Sequence, residues 1–361
     1  MIKSSFYNFY FTFTIFSYLF GIKPLYFLWA FYSFIIVLIE LTDNENNFKF
    51  KFSFVKFSIF LFVPIAFLNL RYDSDIILQI GINIISFITM SVMSQNKKIN
   101  LLFIFRWNLY FAFIFLFAAL YYVGFSDFPY TLPFENIFIG SSSNGVTTVV
   151  LILNFAYQVL LLNRNKKTDN FASLLTILIS LAGYGRGAII ASIVQFLGGL
   201  FINTNKVGIY KKISFFLFVL SMIIYNYESI EEFVISKTKI GGGIEDLERQ
   251  KILNDYTNIS FIEALFGRTY EDTVIDKYNN GNAHNSMIRI HHLYGIFGVI
   301  YFLYWSFRIL IYKNNRDKTF KAILFLGSSF FLRIFTEILF FGTIMDVIFF
   351  SLINDKLKND D

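Results

Sequence analysis

The chain has 361 residues, 56% hydrophobic and 21% aromatic, with 50 Phe and a mean hydropathy of +0.57. This excludes an ordinary soluble domain, which carries less phenylalanine and buries amphipathic helices rather than helices apolar all round. The net charge of +6 is no nucleic-acid footprint, because the basic residues lie in short loops between hydrophobic runs, where membrane orientation puts them.

Taken in chain order, apolar runs of about 17 to 25 residues recur, the length a helix needs to cross a bilayer. The sequence predicts an all-α polytopic integral membrane protein, one transmembrane domain over 1–361, with spans at 5–20, 24–41, 52–70, 76–94, 101–123, 144–163, 170–183, 187–203, 211–226, 286–312, 320–336 and 338–353. Runs that stay apolar, instead of alternating with period two, rule out a membrane β-barrel. The first run follows Met1-Ile2-Lys3 without an evident small-residue cleavage site, so it reads as a retained helix. No internal repeat is visible.

Lysines and arginines in the short loops set the orientation. Lys49, Lys51 and Lys56 follow the second span, Lys97 and Lys98 the fourth, and Arg164, Lys166 and Lys167 the sixth. Lys206, Lys211 and Lys212 follow the eighth, and Lys313, Arg316, Lys318 and Lys321 the tenth. These are alternate loops, so they agree on one topology with both termini cytoplasmic. The opposite loops carry few basic residues, and the one at 125–143 holds Asp127 and Glu135.

That topology puts the long segment 227–285 on the outer face, with the turn Gly183–Gly187. Within the segment, Gly241-Gly242-Gly243 is a flexible break. Ser260 and Glu263 have capping-box spacing, and Gly267 is placed to end a short helix Phe261–Phe266. The segment therefore reads as partly helical, lying over the outer mouth of the bundle.

The chemistry-bearing residues gather on that side. In Gly183-Tyr184-Gly185-Arg186-Gly187 the glycines permit close backbone approach, and Arg186 offers a planar donor fork suited to phosphate oxygens. The plainer reading of Arg186 is an interfacial cation snorkelling to headgroups. Arg249 lies in a charge cluster, 245–251, which is equally a solvated helix face. Arg268 in Phe266-Gly267-Arg268-Thr269 is open in the same way.

All three histidines fall between Gly281 and Gly298. His284 and Asn285 stand at the start of a span, where unpaired N–H groups and the helix dipole attract anions. A neutral His284 there can accept a proton as a general base, whereas Asn285 is as readily a cap. His291 and His292 lie two turns further on, with Arg289 beside them; they line a polar cavity or bond neighbouring helices. Three histidines without cysteine, an HExxH pattern or paired carboxylates predict no metal site, and no cofactor is expected. Arg333 and Glu337, at i and i+4 in an apolar region, read as an ion pair at membrane depth. Asp346 is a lone acid in the last span.

The Arg186 turn, the outer segment with Arg249, Phe266-Gly267, and Ala283-His284-Asn285-Ser286 through Gly295-Ile296-Phe297-Gly298 resemble, in this order, the O-antigen polymerase and O-antigen ligase family. The resemblance covers roughly 140–300. Gly185 stands where the family has serine, Arg268 replaces a second glycine, and Ser143-Asn144-Gly145 replaces an Asn-Pro-Asn-like element.

The resemblance implies a metal-independent glycosyltransferase at the outer face of the bacterial inner membrane. Its donor would be an undecaprenyl-pyrophosphate-linked oligosaccharide, and its other partners membrane lipid and a chain-length regulator protein. Arg186 and Arg249 would hold the pyrophosphate leaving group, and His284 would take the proton of the acceptor hydroxyl. Asn285, Arg268, Arg289, His291 and Tyr184 complete the expected site as substrate-binding residues. Polymerisation of repeat units is the favoured reading. Ligation of the glycan to lipid A–core shares donor and site, and a flippase would instead spread polar residues through the bundle with internal symmetry.

Overall fold

The computed structural model describes residues 2–43, 74–96, 99–124, 134–138, 140–202, 247–279, 282–312 and 315–360. The expected spans 52–70 and 211–226 lie outside these residues, as do the Gly241–Gly243 break, Asp127 and most of the loop lysines: Lys49, Lys51, Lys56, Lys97, Lys98, Lys206, Lys211, Lys212 and Lys313.

The described residues are helical, with no strand among them. In chain order come α1 (Ile2–Phe20), α2 (Lys23–Asp43), α3 (Ser74–Gln95), α4 (Leu101–Val123), α5 (Ser143–Asn163), α6 (Asn170–Ala182) and α7 (Arg186–Ile202). The short helices α8 (Leu247–Thr257), α9 (Phe261–Phe266) and α10 (Val274–Asn279) follow, then α11 (Ser286–Ile309). A last stretch runs through α12 (Arg316–Ala322), a π-helical turn Ile323–Gly327 and α13 (Ser328–Ile334), and ends with α14 (Asp346–Asp360). Five of the described helices, α2, α3, α4, α5 and α11, are long and apolar enough to cross a membrane; α6 and α7 are shorter apolar helices. This is the architecture of a helical membrane protein.

Helix α5 is the axis. Residues from Val146 to Leu162 are buried on every side, which matches a sequence apolar all round. Its few polar groups are satisfied inside the bundle. Asn154 donates to Gln195 on α7 at 2.8 Å and to Ser173 on α6 at 3.2 Å, and Gln158 donates to the Asp169 carbonyl at 2.8 Å. Such interhelical bonds in lipid are worth on the order of 0.6 kcal/mol each. They fix register where apolar contacts alone would let helices slide.

The two ends of the bundle differ. At one, Arg164 meets Asp355 at 3.0 Å, Lys318 donates to the Leu162 carbonyl at 2.7 Å and Lys356 donates to the Ile311 carbonyl. Tyr7 and Asn96 both donate to Glu40 at this same end, where Asn96 and Arg164 line one small cavity. At the other end the starts of α5, α7 and α11 converge on the α1–α2 connection.

The twelfth expected span, 338–353, is corrected. Its first half is irregular and helix α14 begins only at Asp346. Phe341 and Gly342 adopt left-handed backbone, and their N–H groups donate to the Asp346 carboxylate at 2.6 and 3.0 Å. Asn83 donates to the same carboxylate at 3.0 Å. The lone acid is thus the clamp of a buried loop at a helix start.

Candidate functional site

A cavity of about 760 Å³ opens among the converging helix ends. Its lining includes Arg186 from the start of α7, Arg249 from α8, His284 just before α11, and Arg333 and Glu337 from the end of α13 and beyond. Tyr18, Tyr26 and Asn144 add polar wall from α1, α2 and α5. The three residues expected to be catalytic from the sequence, 186, 249 and 284, therefore share one cavity although up to 98 positions separate them.

Charge in this cavity is graded by depth. Arg333 is deepest, with its side chain 2% exposed; Glu337 is at 13% and Arg249 at 33%. Glu337 stands between the two arginines, 3.5 Å from Arg249 and 3.9 Å from Arg333. Arg333 is held further by Thr148 on α5, to which its Nε donates at 3.0 Å, and by the Asn144 carbonyl at 3.1 Å. Gly187 makes room for it, since a Cβ there would come within 2.9 Å of the guanidinium. Among the described residues, three guanidinium groups face one carboxylate in this cavity, a formal excess of two positive charges. Arg186 sharpens the point, because its Nη1 is buried and has no hydrogen-bond partner among the described residues. A buried unpartnered donor is costly and marks a place where a ligand acceptor fits.

His284 is positioned by its backbone. It sits at φ 47°, a left-handed conformation uncommon for a side-chain-bearing residue, and its N–H donates to the Asn282 side chain at 3.0 Å. Asn285 is the N-cap of α11, accepting from the N–H groups of Met287 and Ile288 at 2.8 and 3.3 Å. Its side chain is occupied by this capping. Ser286 then donates to the Glu337 carbonyl at 2.6 Å and accepts from the Leu339 N–H at 2.9 Å, so the His284 and Glu337 backbones are tied together.

The remaining expected site residues fall elsewhere. His291 and His292 do not line the cavity; they dock the short helices α8 to α10 onto α11. His291 pairs with the Tyr256 hydroxyl and with the Ala264 carbonyl, both at 2.9 Å. His292 bonds the Arg268 carbonyl at 2.6 Å and stacks on Tyr270 with ring centroids 3.8 Å apart. Burial holds the Tyr256 and Tyr270 hydroxyls above the usual tyrosine range, so both stay protonated. Arg268 is turned into the 247–279 segment, donating to the Asp255 carbonyl at 2.5 Å. Tyr184 is buried with φ 56° beside Gly185, outside the cavity lining.

This docking positions Arg249. The capping box at Ser260 and Glu263 is present and α9 ends at Gly267. There α9 crosses α11, which is kinked at Gly295 with φ 62° and ψ −160°. Each glycine faces the other helix's backbone: a Cβ at Gly267 would collide with the His291 carbonyl, and one at Gly295 with the Leu265 carbonyl. Beneath the segment, Ile252, Tyr256, Ile275, Ala283 and Ile288 form a small core of their own. Arg249 projects from the same α8 that carries Ile252 and Tyr256.

A second cavity of about 440 Å³ adjoins the first and shares Tyr18, Tyr26, Asn282 and Ile338 with it. Arg289, Leu78, Gln79, Ile82 and the 342–344 loop form the rest of its wall. Arg289 donates to the carbonyls of Phe341 and Gly342 at 3.0 and 3.4 Å.

Sequence reasoning read Arg333 and Glu337 as an ion pair without assigning them to the site. Their i, i+4 spacing in an apolar region was the available signal, whereas their meeting with Arg186 and Arg249 depends on the distant Gly187. Compared with known proteins, the chain matches no protein-family model, no curated protein and no solved structure.

Proposed function

We propose that this is a membrane glycosyltransferase that polymerises lipid-linked polysaccharide repeat units at the outer face of a bacterial inner membrane. The supporting observation is the single cavity that collects Arg186, Arg249, Arg333 and His284. It lies at the end of the bundle away from Arg164, Lys318 and Lys356, which membrane orientation assigns to the cytoplasm.

An undecaprenyl-pyrophosphate glycan brings a dianionic leaving group to a cavity with two excess positive charges. The acceptor sugar hydroxyl attacks the anomeric carbon, forming the new glycosidic bond. The bond from that carbon to the pyrophosphate oxygen breaks, and the pyrophosphate leaves with the electron pair. Arg186 and Arg249 stabilise the charge that develops there, with Arg333 behind them in a poorly solvated site. His284 accepts the hydroxyl proton.

The test is the purified full chain in liposomes with a lipid-linked repeat unit. Longer lipid-linked products together with released undecaprenyl pyrophosphate support the reading. Transfer only onto added lipid A–core favours ligation, and movement of the intact lipid-linked unit across the bilayer without either product favours transport.

A further inference from the structure

We propose that the second cavity is the seat of the acceptor saccharide, an inference that rests on the transferase reading above. At about 440 Å³ it falls in the range of small-molecule sites, about 300–1,000 Å³.

Its chemistry separates it from the first cavity. Among the described residues its lining has one charged side chain, Arg289, whose Nε and Nη2 donate to the Phe341 and Gly342 carbonyls. The unmet group is instead an acceptor: the Gln79 Oε1 is buried with no partner among the described residues. A buried carbonyl oxygen needs a donor. A sugar hydroxyl supplies one, whereas the ionised pyrophosphate diester of the donor and its polyprenyl chain carry none.

The site is rigid. Gln79 packs on Gly342, where a Cβ would come within 2.6 Å of the Gln79 Cβ. The 341–342 loop is fixed on both sides, its N–H groups by Asp346 and its carbonyls by Arg289. Tyr18 and Tyr26, shared by both cavities, offer ring surface on which the C–H face of a pyranose packs. Asn282 also belongs to both, and its side chain accepts from the His284 N–H at 3.0 Å. An acceptor hydroxyl at the border of the cavities therefore lies beside Asn282, the residue whose side chain holds the His284 backbone.

The experiment measures binding to the purified full chain with two probes: undecaprenyl pyrophosphate, and the free repeat-unit oligosaccharide released by mild acid from the cell's own lipid-linked pool. The proposal expects the wild type to bind both. It expects Gln79→Leu to weaken the oligosaccharide several-fold to about tenfold, the worth of one neutral hydrogen bond. Undecaprenyl pyrophosphate binding should be unchanged, and Gln79→Glu, which keeps an acceptor oxygen, should retain the oligosaccharide. Unchanged oligosaccharide binding in Gln79→Leu overturns the proposal, and so does equal loss of both probes. A wild type that binds undecaprenyl pyrophosphate but no oligosaccharide overturns it while leaving the transferase reading in place. A wild type that binds neither removes both.

Discussion

At the residue scale, Arg186 and Glu337 make opposite contributions to the same cavity. Arg186 presents a buried donor that nothing in the described protein satisfies. Arg186→Ala should lower turnover by about 10²–10³-fold, as loss of one positioned transition-state donor does. Arg186→Lys should recover little, because an ammonium lacks the planar fork. Steady-state rates of both variants in liposomes check this. Glu337 instead holds Arg249 and Arg333 with a carboxylate that an incoming phosphate must compete against. Glu337→Gln should therefore tighten undecaprenyl pyrophosphate binding several-fold in an equilibrium titration; weaker binding would mean that the carboxylate mainly orients the arginines.

The same scale shows why the histidines were only partly legible. Spacing from His284 placed His291 and His292 near its face, but that count assumed one continuous helix. His284 lies at φ 47°, outside a helix that starts at Ser286, so it has no helical phase. Its left-handed backbone is a tertiary outcome. Three of the five left-handed non-glycine residues among the described residues, Tyr184, His284 and Phe341, lie in or beside residues that line the two cavities. Backbone strain of about 1–3 kcal/mol per residue persists where surrounding structure enforces it, often at functional sites.

At the element scale, the short helices α8 to α10 matter because α8 carries Arg249. They are held by two glycine contacts and two histidines rather than by a large core. Gly267→Ala meets both a left-handed φ of 102° and the carbonyl of His291, so it should loosen the segment. Hydrogen exchange over 247–279 should rise, and turnover should fall without loss of the bundle. Unchanged exchange would show that α9 has room to shift. The capping box that starts α9 was legible because it is local, four residues long and built from side chains that bond their own backbone. The start of α14 was not, because the 338–345 run is as apolar as a span and its irregular path depends on Asp346 and the distant Asn83.

At the scale of the whole molecule, the apolar helices were legible because the bilayer imposes a length rule on the sequence itself. That Arg333 and Glu337 join Arg186, Arg249 and His284 in one cavity was not, since it depends on how helices cross. The absence of cysteine gives a clean background for labelling. A single cysteine at exposed Glu271 (Glu271→Cys) should react with a membrane-impermeant maleimide from the outer side of intact cells, and one at exposed Lys166 (Lys166→Cys) only after permeabilisation. The reverse pattern would put the large cavity on the cytoplasmic side and end the proposed reaction.

The most direct test of the central claim is surface polysaccharide length on a gel, in a deletion strain carrying the wild type or His284→Asn. Asparagine tolerates the left-handed backbone while removing the base, so the fold is spared. The account predicts a ladder for the wild type and a single capped repeat unit for His284→Asn. An unchanged ladder in a variant present at wild-type level would contradict it.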